Sequence, residues 1–133
     1  MKGVKMALTN TIRQEQIKDF YIEVLTQAVS AYNDANFYVN NSLKNESLYK
    51  AQLFNNVVHT IREDLIIVNS GCGNIYATDE ATIAAFALDL YDAYSSMLYE
   101  ALYAYTEERR NACKIQAEAY KTVVDAFNRI FDK

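Results

Sequence analysis

From Thr78 to Phe131 the chain runs through more than fifty residues without a proline or a glycine. A globular helix usually spans about 10–14 residues, so this stretch constrains every arrangement open to the chain. Its first half places Ile83, Phe86, Ala87, Leu90, Tyr94, Met97, Leu98, Ala101 and Tyr105 at the three-then-four step of a helix with one face in a core. Leu88, Tyr91, Tyr99 and Leu102 fall outside that stripe and widen the apolar arc to roughly 200°. Only a narrow polar wedge is left, carrying Asp89, Asp92, Ser96 and Glu100. A helix packed on one side needs about half that arc, so residues 81–105 call for neighbours on most sides.

A charged patch, Thr106 to Asn111, interrupts the stripe, which resumes at Ala112, Ile115, Ala119, Val123, Phe127 and Ile130. The three-four register carries across the patch with Glu108 as its one charged member, which favours a single helix. Against this, Thr106 followed by two acids has the form of a helix N-cap. An unbroken helix over 78–131 would span ~80 Å at 1.5 Å per residue, about twice the diameter expected from a radius of gyration near ~14 Å. The sequence thus predicts an all-α fold, an antiparallel bundle of three to four helices. Its very long C-terminal helix either continues and needs a partner or is kinked near 106 to close a four-helix bundle.

The 133 residues are read as a single helical domain, 1–133. Residues 1–9 read as a flexible arm without the apolar run of a signal peptide. Thr11 and Gln14 form a capping box for a first helix over about 12–39. Its core face is Ile17, Phe20, Tyr21, Val24, Ala28, Ala31, Tyr32, Ala35 and Tyr38. The Asn40–Asn45 run reads as a turn, with Asn45 or Ser47 capping a second helix over about 47–69. Its stripe is Ala51, Phe54, Val58, Ile61, Leu65 and Val68. The β-branched run Leu65–Val68 also has strand character, but without an evident second strand to pair with it stays in the helix. Residues 69–77 form a loop in which Gly71 closes the second helix. Thr78 opens the third, with Asp79 and Glu80 in its first turn.

Composition narrows the function classes. A net charge of −4 and a pI near 5.0 oppose a nucleic-acid partner held through phosphates. A membrane span over 81–105 would bury Asp89, Asp92 and Glu100, each costing ~2.5–3.5 kcal/mol at a helix centre. Cys72 and Cys113 are far apart and lack metal spacing, as expected of free thiols in a reducing cytoplasm. The bias towards tyrosine and asparagine, with no tryptophan, points to AT-rich coding of the kind found in many phages and parasites, and hints at a phage or mobile-element origin.

No constellation of catalytic, cofactor or metal-ligating residues is present. The sole histidine, His59, lacks the Glu-x-x-His context of di-metal bundles, and with Glu63 it reads as a solvated pair. The Gly71-Cys72-Gly73 turn lacks the lysine and further glycines of phosphate loops, and Cys72 beside a helix start is at most an accessible thiol. What stands out is Tyr91, Tyr94, Tyr99, Tyr103 and Tyr105 crowded on one segment, because tyrosine offers large area with a polar tip and concentrates at interfaces. The candidate interface residues are Leu88, Tyr91, Tyr99, Leu102 and Tyr103. The sequence therefore points to a cytoplasmic, non-enzymatic helical interaction or assembly protein: an adaptor, inhibitor or structural subunit, self-associating or bound to a protein partner. The alternative is a small-molecule-binding bundle with a tyrosine-lined pocket between helices, with Asp89 or Glu100 as its protonatable group.

Overall fold

The computed structural model describes residues 2–69 and 73–132. In chain order they form α1 (Lys2–Phe37), α2 (Asn41–Asp64), β1 (Ile66–Asn69), β2 (Gly73–Tyr76), α3 (Glu80–Tyr103) and α4 (Glu107–Phe131). The architecture is helix packed on helix. α1 and α2 form one hairpin, α3 and α4 a second, and α4 is the helix that packs against all three others.

The core follows the periodicity of the sequence. Ile17, Phe20, Val24, Ala28, Ala31 and Ala35 of α1 meet Ala51, Phe54, Val57, Val58 and Ile61 of α2, and Ala119, Val123 and Phe127 of α4 close the layer. Phe20 is fully buried at its centre. Its ring lies edge-on to Phe86 at 5.9 Å, Phe127 at 5.4 Å and Phe131 at 5.9 Å, while Phe127 and Phe131 stack at 4.4 Å. One side chain of α1 thereby holds α3 and α4 by the perpendicular geometry that aromatic quadrupoles favour.

Polar ties reinforce the same end of the bundle. Arg13 grips Glu80 with two donors, at 2.8 and 3.1 Å, and gives a third to Gln16 Oε1 at 2.8 Å. Gln16, itself buried, donates its amide to the Ile130 carbonyl at 3.0 Å. Arg129 of α4 pairs with Glu23 of α1.

The expected elements shift in several places. There is no very long C-terminal helix: α3 stops at Tyr103, and Ala104 turns extended (φ −59°, ψ 150°). Thr106 then caps α4, its hydroxyl accepting the Arg109 N–H at 3.1 Å. A negative φ at the break explains why no glycine was needed to end α3. At the other end α1 begins at Lys2, so residues 2–9 are helix rather than an arm, Thr11 lies inside it, and it stops at Phe37.

The second helix starts earlier than Asn45 or Ser47 because Asn40 is its cap, accepting from Ser42 N–H at 2.8 Å and Leu43 N–H at 3.3 Å. It ends at Asp64 rather than 69. Ile66–Asn69 form a strand, since Gly73–Tyr76 provides the antiparallel partner, with Ile66 opposite Tyr76 and Asn69 opposite Gly73. Asp79, one residue after Thr78, caps α3 by accepting from Thr82 N–H at 2.9 Å. Gly71 and Cys72, expected to end the second helix and to offer a thiol, lie outside the described residues. Among the described residues no helix is long and apolar enough to cross a membrane.

The aromatic junction sets the expected weak point. Phe20→Ala should lower unfolding free energy by about 3–5 kcal/mol, read by urea denaturation followed by circular dichroism. A loss under ~1 kcal/mol would show that Phe86, Phe127 and Phe131 hold together without it.

Candidate functional site

α3 is the most apolar of the described helices and the least covered. Its buried residues are Ile83, Phe86 and Leu90, all in its first half. There it meets α1 through Phe20 and α2 across a cleft lined by Asn56, Val57 and Thr60. Beyond Leu90 its neighbour is α4, against which Tyr94, Met97 and Ala101 are half-buried.

The opposite flank carries large apolar side chains in water. Leu88 and Leu102 are each 70% exposed, Tyr103 68% and Tyr99 65%, and Tyr91 is exposed at the near edge. All five candidate interface residues therefore lie on the surface. Leu98 and Tyr105, expected in the core stripe, lie there too. Tyr105 falls beyond the end of α3 in the link to α4 and is fully exposed, while Leu98 is about half exposed within α3. Together Leu88, Tyr91, Ser95, Leu98 and Leu102 form a strip at three-four spacing, the pattern of a helix seam, and every member is exposed.

The strip is organised rather than loose. Tyr91 donates its hydroxyl to the Asn128 side chain of α4. The Tyr99 and Tyr103 rings lie 4.8 Å apart, tilted by 46°. The link to α4 is tied by Arg109 to Glu100 at 2.8 Å and by Arg110 to the Ala104 carbonyl at 2.7 Å. The buried Cys113 thiol points at Glu100 at 3.3 Å. That contact, followed by Arg109, holds the Glu100 carboxyl below the usual carboxylate range, while burial pushes the Cys113 thiol up and keeps it protonated. Asp79 is also held low, by the Thr82 hydroxyl and N–H. All charged residues of α3 are acidic: Glu80, Asp89, Asp92 and Glu100.

The other sequence candidates are dispersed. His59 and Glu63 are both exposed on α2. Among the described residues no group of three His, Cys, Asp or Glu side chains is placed to hold a metal ion. Asp89 borders the cleft between α2, α3 and α4, which also has Phe86, Leu90, Ala93 and Tyr120 in its walls. Its volume of about 210 Å³ is below the ~300–1,000 Å³ of drug-sized pockets. Tyr120 is the tyrosine that borders it, those of α3 lie elsewhere, and Glu100 is engaged at the far end of α3.

The described residues carry a second bare strip. Ile22, Leu25, Val29 and Tyr32 are exposed along α1, at the same three-four spacing. Tyr32, expected on the core face, lies in this strip. The signal is legible, since the four positions centre roughly 120° from the core stripe on a helical projection. Comparison with protein-family models, with curated proteins and with solved structures gave no match.

The lowered carboxylates give a pH dependence with a definite sign. Asp79 and Glu100 bind protons less readily folded than unfolded, so their stabilisation is complete above the ordinary carboxylate range. It is lost as pH falls through their folded values. Melting temperature should therefore drop on acidification from about pH 7 to about pH 3, and the pair Asp79→Asn with Glu100→Gln should flatten that drop. An unchanged acid limb in the double variant would assign the loss to other carboxylates.

Proposed function

We propose that this chain is a non-enzymatic interaction protein that works through the bare flank of α3, assembling with a protein surface as an adaptor, inhibitor or structural subunit. One observation carries the reading: the most apolar helix of the bundle leaves Leu88, Leu98, Tyr99, Leu102 and Tyr103 in water along one side. Isolated exposed leucines are ordinary, but a contiguous apolar patch marks a binding surface. Its composition fits, because tyrosine and leucine around a fixed helix lose little side-chain freedom on binding, and tyrosine is enriched at contact hot spots.

Magnitudes support an interface of useful size. At roughly 200 Å² per tyrosine, Tyr91, Tyr99, Tyr103 and Tyr105 leave on the order of 500 Å² in contact with water. With the leucines added, the patch approaches the ~800 Å² per partner of a standard interface. The tyrosine hydroxyls and the acidic wedge beside them supply a polar rim.

The chain recovered from its own cells should carry a stoichiometric protein on this flank, either further copies of itself or another chain. Tyr99→Ala with Leu102→Ala should release that protein, with helicity by circular dichroism unchanged and affinity reduced at least tenfold, about 1.4 kcal/mol. A partner held equally well by the double variant would remove the α3 flank from the interface.

A further inference from the structure

Granting that the α3 flank is an interface, we infer that its partner is a second copy of the same flank, with the two α3 helices antiparallel about a two-fold axis that passes between Ser96 and Met97. The inference rests on the interface reading above and adds the occupant and its register. In this register Tyr91 faces Leu102 of the second copy and Ser95 faces Leu98. The symmetric contacts repeat both, as an isologous interface requires. Leu88 comes against Tyr105 of the other copy, which projects from the link between α3 and α4.

Volume and charge both select this arrangement. Each layer sets an aromatic or small residue against a leucine, so the helices approach evenly. A parallel, in-register pair would instead stack Tyr91 on Tyr91 and leave a Ser95–Ser95 gap. Charge is the sharper discriminant, because every charged side chain of α3 is acidic. Antiparallel pairing on this axis separates the two Asp92 carboxylates by nine residues, ~13 Å along the helix, beyond the ~8–10 Å screening length of physiological salt. It also brings each Asp92 beside Tyr99 of the other copy, whose exposed hydroxyl is a donor a carboxylate accepts. Sliding the pair by one heptad towards the N-termini would put Asp92 against Asp92.

The position of the axis suits the shape of the molecule. It lies in the half of α3 beyond Leu90, where α4 is the neighbour and the flank is clear of α1 and α2. The α1–α2 hairpins of the two copies then lie towards opposite ends of the paired helices. Both α3 helices are already folded against their own α4, so pairing costs no helix formation.

The test uses the full chain. The wild-type mass by light scattering on a sizing column should be that of a dimer. In a Cys72→Ser, Cys113→Ser background, Tyr91→Cys and Leu102→Cys chains should form a disulfide-linked dimer when mixed under mild oxidation. Each chain alone should stay at background, because its own thiols are eleven residues apart along the pair. Cross-linking of either variant by itself would establish a parallel pair and overturn the inference. A wild-type dimer in which the mixture also fails to cross-link would overturn it by moving self-association to another face, such as the α1 strip. A wild-type monomer would exclude the second copy as occupant while leaving the α3 flank free for a different protein. Failure of the interface reading is distinct: it shows as a cellular partner indifferent to Tyr99→Ala with Leu102→Ala.

Discussion

Everything in this fold depends on the reversal at Ala104–Thr106. A proline- and glycine-free stretch of more than fifty residues would run far past the rest of the molecule as one rod. Three contacts make the reversal definite: the Thr106 hydroxyl caps α4, Arg109 reaches back to Glu100, and Arg110 satisfies the Ala104 carbonyl left open at the end of α3. Helix ends leave backbone groups without partners, and here neighbouring side chains supply them across the turn. Folding α4 back along α3 then lets it enter the groove of the α1–α2 hairpin.

That reversal also decides which surfaces are left bare. α4 packs against all three other helices, burying Ala112, Cys113, Ala117, Ala119, Val123, Val124, Ala126, Phe127 and Phe131. α3 lies outside it and buries residues only near its start. The apolar arc of α3 was sized for neighbours on most sides, and the chain itself supplies them on one. Hydrophobic surface in excess of what a fold covers is a free-energy reservoir for association, and the flank of α3 holds it in a rigid, pre-formed shape.

The periodic part of this architecture was legible in the sequence. The α1 face from Ile17 to Ala35 and the α4 face through Ala112, Ala119, Val123 and Phe127 are buried where the spacing puts them. The five candidate interface residues of α3 fall outside its core stripe in the sequence and are exposed in the fold. What failed to read were features without a period. The helix break carried only a threonine and two acids as its signal, and an extended Ala104 needs no special residue. Strand character in Ile66–Val68 was visible, but its partner Asn74–Tyr76 is too short to register alone. The Thr11 box resembled a helix start because capping chemistry is local, whereas α1 runs on through it. Periodicity also states how wide an apolar arc is, not which side of it receives a neighbour; for that reason Leu98 and Tyr32, expected in core stripes, lie exposed.

The central place of α4 bears on how the molecule is made. A ribosome delivers α1, α2, the hairpin and α3 before it delivers the helix that packs against all three others. Until α4 emerges, Phe20 lacks Phe127 and Phe131, the Gln16 amide lacks the Ile130 carbonyl, and α3 lacks the neighbour that covers it beyond Leu90. The α1–α2 hairpin can pack as soon as both helices are out, whereas the aromatic junction and the second hairpin wait for α4. Through that interval the nascent chain presents an apolar helix to its surroundings, the kind of exposed segment that chaperones exist to shield.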